Sequence, residues 1–480
     1  MLTYELIAVI LYVFLLFSIA ALSYKRHQSS KDFILGGRSL NFWLIAMAAH
    51  SSDMSSWLLM GYPAMVFTQG LFHAWSAVGL IIFMFLNWQL IAPKIRVASE
   101  RYGALTFSSF FESRFSDTSG LIRISTALMQ LLFYSFYITA GLVSMGLLIH
   151  QLFSIHYHLA ITLSVLIIIP YLFVGGFRTL AWTDFFQAMF MLTVVLITPI
   201  VAIKYLGGFS NTLTRIQATS FSLNFFPNPS VKTIKAILFL STSWGLGYFG
   251  QPHIVTKFMG IDHPKNIRKS KYFGMSWQVL IFFFTTLIAV VGAGFFPEGL
   301  PDTQLIFVDI ARSIFYPIVG AFVICAILAA TISTLDSQIL VLSSSLTEDL
   351  YKKIFRKKAS SRELLLVSRA AILLTALLSF TLAWFNNRPI YALVEYAWFG
   401  LGASFGPLML ASLYAKKVTK EGALAGIVTG GTVAALWPKI EAVTGLYAPT
   451  LIPGFFFSLI AIFFTSWCMN LAPKKALVEK

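Results

Sequence analysis

Long apolar runs alternate with short polar connections along the whole chain. They lie near 4–24, 41–69, 73–93, 124–150, 158–177, 181–206, 233–256, 273–296, 317–346, 364–386, 390–415, 421–437 and 450–472. A helix needs about 20 apolar residues to cross a bilayer, and most of these runs reach that length. The pattern predicts an all-α integral membrane protein of about thirteen transmembrane helices. Two runs are polar or glycine-rich at their centres. Ala48-Ala49-His50-Ser51-Ser52-Asp53-Met54-Ser55-Ser56-Trp57 interrupts the second, and Ser243-Trp244-Gly245-Leu246-Gly247-Tyr248-Phe249-Gly250-Gln251-Pro252 interrupts the seventh. Lipid offers no partner to a freed backbone carbonyl, so unwound backbone at that depth must be satisfied by protein, water or an ion.

Composition agrees with the pattern. The 480 residues are 58% apolar and 11% charged, against about 25% charged in soluble domains. The net charge of +16 could suggest nucleic acid, but its distribution points to a membrane. When alternate connections are assigned to one side, only Lys204, Arg215, Lys232, Lys235, Arg312, Arg388 and Lys439 of the 35 basic residues fall on the other. Basic loops stay in the cytoplasm. An outside N-terminus and a cytoplasmic C-terminus in a cell inner membrane follow, and these require an odd number of spans. Met1 to Glu5 carries no basic residue and no small-residue cleavage site follows, so the first run reads as a retained helix. Cys325 and Cys468 lie in apolar runs without metal spacing and read as core residues.

The chain reads as one transmembrane domain, 1–480. After the first run, runs two to six and seven to eleven form two sets of five, and each set opens on an interrupted run. Five is odd, so the second set enters from the opposite side. The expected core is a pair of inverted repeats, about 41–206 and 233–415, with peripheral helices at 4–24, 421–437 and 450–472. A matched pair of interrupted helices points to the central site of a secondary transporter. Gly422, Gly426 and Gly430 share a face and read as a packing seam. Residues 207–232 read as an irregular loop, and the start of 347–363 as a short amphipathic helix.

Intramembrane acids are expensive and rare. Asp53 lies in the first break, where it could cap the restarting half-helix or serve function. Asp184 opens its run beside Trp182 and Thr183, as a helix N-terminal anchor or as part of an ion path. Glu395 reads as interfacial or functional. Asp336 lies three residues after Ser333, one turn along the same face. Asp184 and Asp336 could line a cation release path and form a weaker cation site with Ser337; the alternative is local capping and bonding to a loop or an arginine. Ser333 and Thr334 could back-bond to their own helix. Facing unwound backbone, they could instead supply the neutral oxygens that a hard cation takes. Tyr137, Trp244 and Tyr248 offer aromatic walls with polar tips. The histidines show no ligand spacing and read as packing or interface residues.

Several motifs together resemble the sodium:solute symporter family. They include Ser52-Asp53-Met54-Ser55 with Trp57-Leu58-Leu59-Met60-Gly61, then Trp182-Thr183-Asp184, and Trp244-Gly245-Leu246-Gly247-Tyr248-Phe249-Gly250-Gln251-Pro252-His253. Ser333-Thr334-Leu335, Leu346-Thr347-Glu348-Asp349-Leu350-Tyr351 and Gly422-Ala423-Leu424-Ala425-Gly426 extend the likeness nearly end to end. Within the family the chain is most similar to bacterial sodium/proline symporters. The resemblance implies a LeuT-like core of five plus five helices and co-transport of a sodium ion with L-proline. By position, it implies a sodium site of the Ser51, Met54 and Ala330 carbonyls with the Ser333 and Thr334 hydroxyls. Asp53 would support sodium affinity. Ser55, Tyr137, Trp244, Tyr248 and Pro252 would lie near the solute. The chain departs from the family's proline carriers at Ser51, Ser56 and Asp336.

The expected activity is therefore sodium-coupled symport of L-proline by alternating access. Another amino acid, a carboxylate, pantothenate or a sugar is the alternative solute. A membrane enzyme would need a convergent acid, base or metal cluster, and the sequence offers none. A channel would want a continuous polar lining. The partners expected are the solute and the bilayer, with no nucleic acid and no obligate protein partner.

Overall fold

The computed structural model describes residues 2–24, 29–386, 388–446 and 448–471. The basic residues Lys25, Arg26, Lys474, Lys475 and Lys480, used above for orientation, lie outside them, as does the last residue of the run at 450–472. The described residues build helices, with one isolated bridge between Leu40 and Ile261. Nine helices among them are long and apolar enough to cross a membrane. The other four apolar runs correspond to the two interrupted helices, to Tyr157–Pro170 and to Ile390–Tyr414.

The first interrupted helix runs Phe42–Met54, breaks at Ser55, makes a tight turn over Ser56–Leu58 and resumes at Gly61–Gln69. The second runs Val231–Gly245, tightens over Leu246–Gly250 and restarts at Pro252–Met259. Both breaks fall where apolar continuity fails in the sequence. Trp57 lies 5.5 Å from Trp244, ring to ring, so the breaks face each other. The helix Pro317–Ser345, which carries the hydroxyl run, is buried almost along its whole length and packs against Phe42–Met54.

Other elements refine the sequence reading. The runs at 158–177 and 181–206 meet at Gly176, whose φ of 62° and ψ of −173° no ordinary side chain favours. The run at 73–93 extends through a π-turn at Asn87–Ile91 and ends at Arg101. Residues 347–355 are not a separate amphipathic helix: Leu346–Phe355 continues Pro317–Ser345 as a wider π-helical winding. The loop at 207–232 contains a helix, Phe209–Gln217. The glycine seam is real: a Cβ on Gly422 would meet Ser466 Oγ at 2.0 Å, and one on Gly430 the Ala403 carbonyl at 2.2 Å.

The two ends of the bundle differ. At one end, arginines bind the last carbonyls of neighbouring helices, which neutralises groups a helix leaves unpaired. Arg38 donates to Ser99 O at 3.1 Å, Ala104 O at 2.8 Å and Met259 O at 3.3 Å. Arg96 donates to Ile261 O and Asp262 O, and Arg114 to Ser412 O and Ala415 O. Arg123 pairs with Asp349 at 2.8 Å and Glu112 at 2.9 Å. This is the end the sequence marks as basic. The opposite end holds a large cavity, described below.

Candidate functional site

Ser55 is the pivot of the first break. Its φ of 46° is left-handed, a conformation that costs a non-glycine residue on the order of 1–3 kcal/mol and persists only where surroundings hold it. They do: its N–H donates to Thr334 Oγ1 at 2.9 Å, and its own Oγ accepts from Trp57 N–H at 3.2 Å. One turn back, Ser333 Oγ donates to the Ser51 carbonyl at 3.0 Å and approaches Ala330 O at 3.1 Å. Thr334 Oγ1 also donates to Ala330 O at 3.1 Å. Ser51, Ala330, Ser333 and Thr334 are thus brought together. These are neutral oxygens, the set a hard cation favours over nitrogen or sulfur.

Met54 is the exception. A trans peptide points its carbonyl opposite to its N–H. Because Ser55 N–H faces Thr334, the Met54 carbonyl faces away from that hydroxyl in this conformation.

Beside these oxygens lies a narrow cavity of about 20 Å³. Asp53, Met54 and Ser55 from the first break line it, with Trp57, Tyr137, Trp244 and Tyr248 as aromatic walls. Leu80, Phe282, Val394 and Trp398 complete it. Tyr248 donates its hydroxyl to Asp53, tying the second break to the first. Gln278 supports the pair by donating to Tyr248 Oη at 3.3 Å. Asp53 is therefore not a simple cap: its carboxylate belongs to the cavity wall.

Pro252 does not line this cavity. It occupies the first turn of the restarting half-helix, where its missing N–H is harmless, and so marks where the break ends. Trp398, absent from the sequence-derived set, is central instead. Its indole N–H donates to the Trp244 carbonyl at 2.9 Å, and its own carbonyl accepts from Gln251 at 3.0 Å. A Cβ on Gly247 would meet that indole at 2.2 Å, so glycine there makes room for the wedge. The glycines of the break signalled a close approach; nothing in them named the partner, 147 to 154 residues away.

A second, larger cavity of about 530 Å³ adjoins the first. Trp244 lines both. Phe72, His73, Pro449 and Thr450 place the larger one at the end opposite the arginines, with Glu395 and Glu441 on its wall.

Asp184 and Asp336 are both fully buried. Asp184 neither anchors nor caps a helix start: it lies within the helix that follows Gly176, bonded to Lys257 Nζ at 2.8 Å. Lys257 sits on Pro252–Met259 with 2% of its side chain exposed. Asp336 stands within electrostatic range of Tyr12, whose hydroxyl accepts from Gln187 at 3.0 Å. The buried histidines pack as expected, His50 accepting from Trp88 Nε1 and His253 bonding Tyr134. Among the described residues, no group of three or more His, Cys, Asp or Glu side chains gathers as a metal site.

Residues 33–430 match the sodium:solute symporter family. The chain is 39% identical over 463 residues to the high-affinity proline transporter PutP of Bacillus subtilis, covering 95% of this chain and 96% of that one. It is 36% identical over 487 residues to the sodium/proline symporter of Escherichia coli, covering 99% and 95%. Its fold is similar to that of a Na+-coupled sialic acid symporter in a substrate-bound outward-open state, with a TM-score of 0.82 at 18% identity over 97% of this chain and 98% of that one. MhsT in complex with L-phenylalanine shares the fold at a TM-score of 0.55 and 14% identity, over 88% of this chain and 98% of that one. The fold is that of LeuT-type transporters, and the chain belongs to the sodium:solute symporter family.

Proposed function

We propose that the protein is a sodium-coupled symporter for L-proline, working by alternating access around the two facing breaks. The observation that carries this reading is the meeting of Ser51, Ala330, Ser333 and Thr334 beside a cavity walled by aromatic rings. At about 20 Å³ the cavity is contracted to little more than a water, so a compact amino acid would enter as its aromatic walls part. Proline's ring is apolar and fits against Trp244, Tyr248 and Tyr137. Its carboxylate suits the start of the half-helix after Ser55, where the helix dipole favours anions and where Ser55 N–H would be freed if its bond to Thr334 opened.

Sodium enters as co-transported substrate, held by the Ser51, Met54 and Ala330 carbonyls with the Ser333 and Thr334 hydroxyls. Met54 would join only when its peptide turns. That turn would draw its carbonyl to the ion and release Ser55 N–H from Thr334 toward the cavity. Sodium would thereby prepare the carboxylate site, which is how a ligand that prefers one state shifts the equilibrium. Asp53 would transmit the change to Tyr248.

The inverted repeats span about 41–206 and 233–415 and form a core of five plus five helices within about thirteen spans. The arginine-rich end faces the cytoplasm in a bacterial inner membrane, with the N-terminus outside and the C-terminus inside. In this arrangement the large cavity opens outward and Trp244 separates it from the central one. Asp336, with Asp184, lies on the ion's inward path.

Radiolabelled uptake into proteoliposomes tests the reading. Proline should accumulate under an inward sodium gradient, and collapse of the gradient should abolish accumulation. Preferential transport of glucose, pantothenate or another amino acid would refute the solute assignment. Equal uptake without sodium would refute the coupling.

A further inference from the structure

The transport reading above places Asp184 on the ion's inward path but gives no part to its partner Lys257, and the pair is buried more deeply than any other described. The two side chains are 0% and 2% exposed, and Nζ lies 2.8 Å from Oδ2. Two charges are taken from water this completely only when each answers the other. Asp184 Oδ1 has no hydrogen-bond partner among the described residues. The carboxylate is therefore only half satisfied, and the lysine is its cation. The Phe177 ring, 5.3 Å from Nζ, completes an apolar setting for that ammonium.

The two partners come from elements with different duties. Lys257 rides on Pro252–Met259, the inner half of the helix whose outer part presents Trp244 and Tyr248 to the cavity. Asp184 rides on the helix that packs against both Phe42–Met54 and Pro317–Ser345, the two elements that meet at Ser51 and Ser333. A free carboxylate in that position would attract a small cation moving between those elements. With the ammonium at bonding distance, a second cation would place two positive charges on one carboxylate in a site without water to screen them.

We infer that Lys257 is a tethered counter-cation that occupies Asp184 in place of a second sodium ion, and so holds the carrier at one sodium per solute. This inference rests on the sodium-coupled reading above and adds the residue that sets its stoichiometry. Lys257 acts through Asp184 and touches neither the solute cavity nor the oxygens of the first break.

The test compares wild type, Lys257→Met, Lys257→Arg and the double variant Lys257→Met/Asp184→Asn in proteoliposomes. Sodium-22 and tritiated proline fluxes are measured together. Wild type and Lys257→Arg should carry one sodium per proline with a Hill coefficient of about 1 for sodium. Lys257→Met should become sigmoidal and approach two sodium per proline, because the vacated carboxylate accepts the ion. The double variant, which lacks the carboxylate, should return to a ratio of one while its turnover falls, because Asp184 lies on the ion path. A ratio of one in Lys257→Met, or of two in wild type, overturns the inference.

If Lys257→Met binds but does not transport, equilibrium sodium titration of the purified protein decides. Two sites support the inference and one site overturns it. If Lys257→Met folds at no sodium concentration while the double variant folds, sodium does not replace the ammonium and the inference also falls. Wild-type uptake is the control that separates the two levels. Absence of sodium-driven uptake in wild type refutes the transport reading itself, whereas normal wild-type coupling with indifference to Lys257 refutes only this inference.

Discussion

The two ends of the bundle are built from different chemistry. The basic end is closed by arginines that reach across helix boundaries to backbone carbonyls and carboxylates. The other end is hollowed by a cavity of about 530 Å³, and Trp244 lines both that cavity and the central one. Charged hydrogen bonds are directional and break as a set, so the basic end should behave as a latch. Aromatic contacts are weaker singly and slide, so the other end should behave as a lid. The same central site is thus guarded by a stiff barrier on one side and a soft one on the other.

The largest effect should come from the buried pair behind the latch. Removing one partner of a buried ion pair costs about 3–5 kcal/mol because the other charge is left uncompensated. Lys257→Met in sodium-free buffer should therefore unfold at a much lower temperature than Lys257→Met/Asp184→Asn, read by thermal melts in detergent. Equal melting of the two variants would show that the pair is not buried against low dielectric.

Breaking the latch itself should cost less. Arg38→Ala removes a guanidinium bonded to Ser99, Ala104 and Met259. One lost charged hydrogen bond is worth about 2 kcal/mol, enough to shift a two-state equilibrium roughly 30-fold. A cysteine placed at Val255, fully buried on the inner half-helix, should then label faster with a thiol reagent applied from the basic side. An unchanged labelling rate would remove Arg38 from the latch.

The lid should give the smallest change. Trp244→Ala removes an indole that is tilted against Trp57 and edge-on to Phe399. Proline affinity should fall about tenfold, within the range of one or two aromatic contacts, while sodium binding persists. Loss of sodium binding as well would mean that Trp244 supports the ion site and not only the solute wall.

How much of this was legible in the sequence depended on how local each cause was. The two breaks were legible because lipid tolerates no unpaired backbone, so polar and glycine-rich interruptions at that depth stand out. The hydroxyls of Ser333 and Thr334 were legible once a facing break was assumed. The latch and Trp398 were not. Arg38 and Trp398 act on carbonyls far away in the chain, and a carbonyl leaves no mark on sequence. Lys257 falls one residue past the run at 233–256, because a charged residue ends an apolar run whether or not a buried partner awaits it. Pro252 opens the restarting half-helix, and the cavity-lining residues of that break, Trp244 and Tyr248, precede it.

The most direct test of the central claim concerns the oxygens at the first break. Sodium dependence of proline uptake should be compared in wild type, Thr334→Ser and Thr334→Ala. Thr334→Ser keeps the hydroxyl that holds Ser55 N–H and Ala330 O, so its half-saturating sodium concentration should stay close to wild type. Thr334→Ala should need at least about tenfold more sodium, the equivalent of roughly one lost oxygen contact of 1.4 kcal/mol. The same sodium dependence in the serine and alanine variants would contradict a cation held at Ser333 and Thr334.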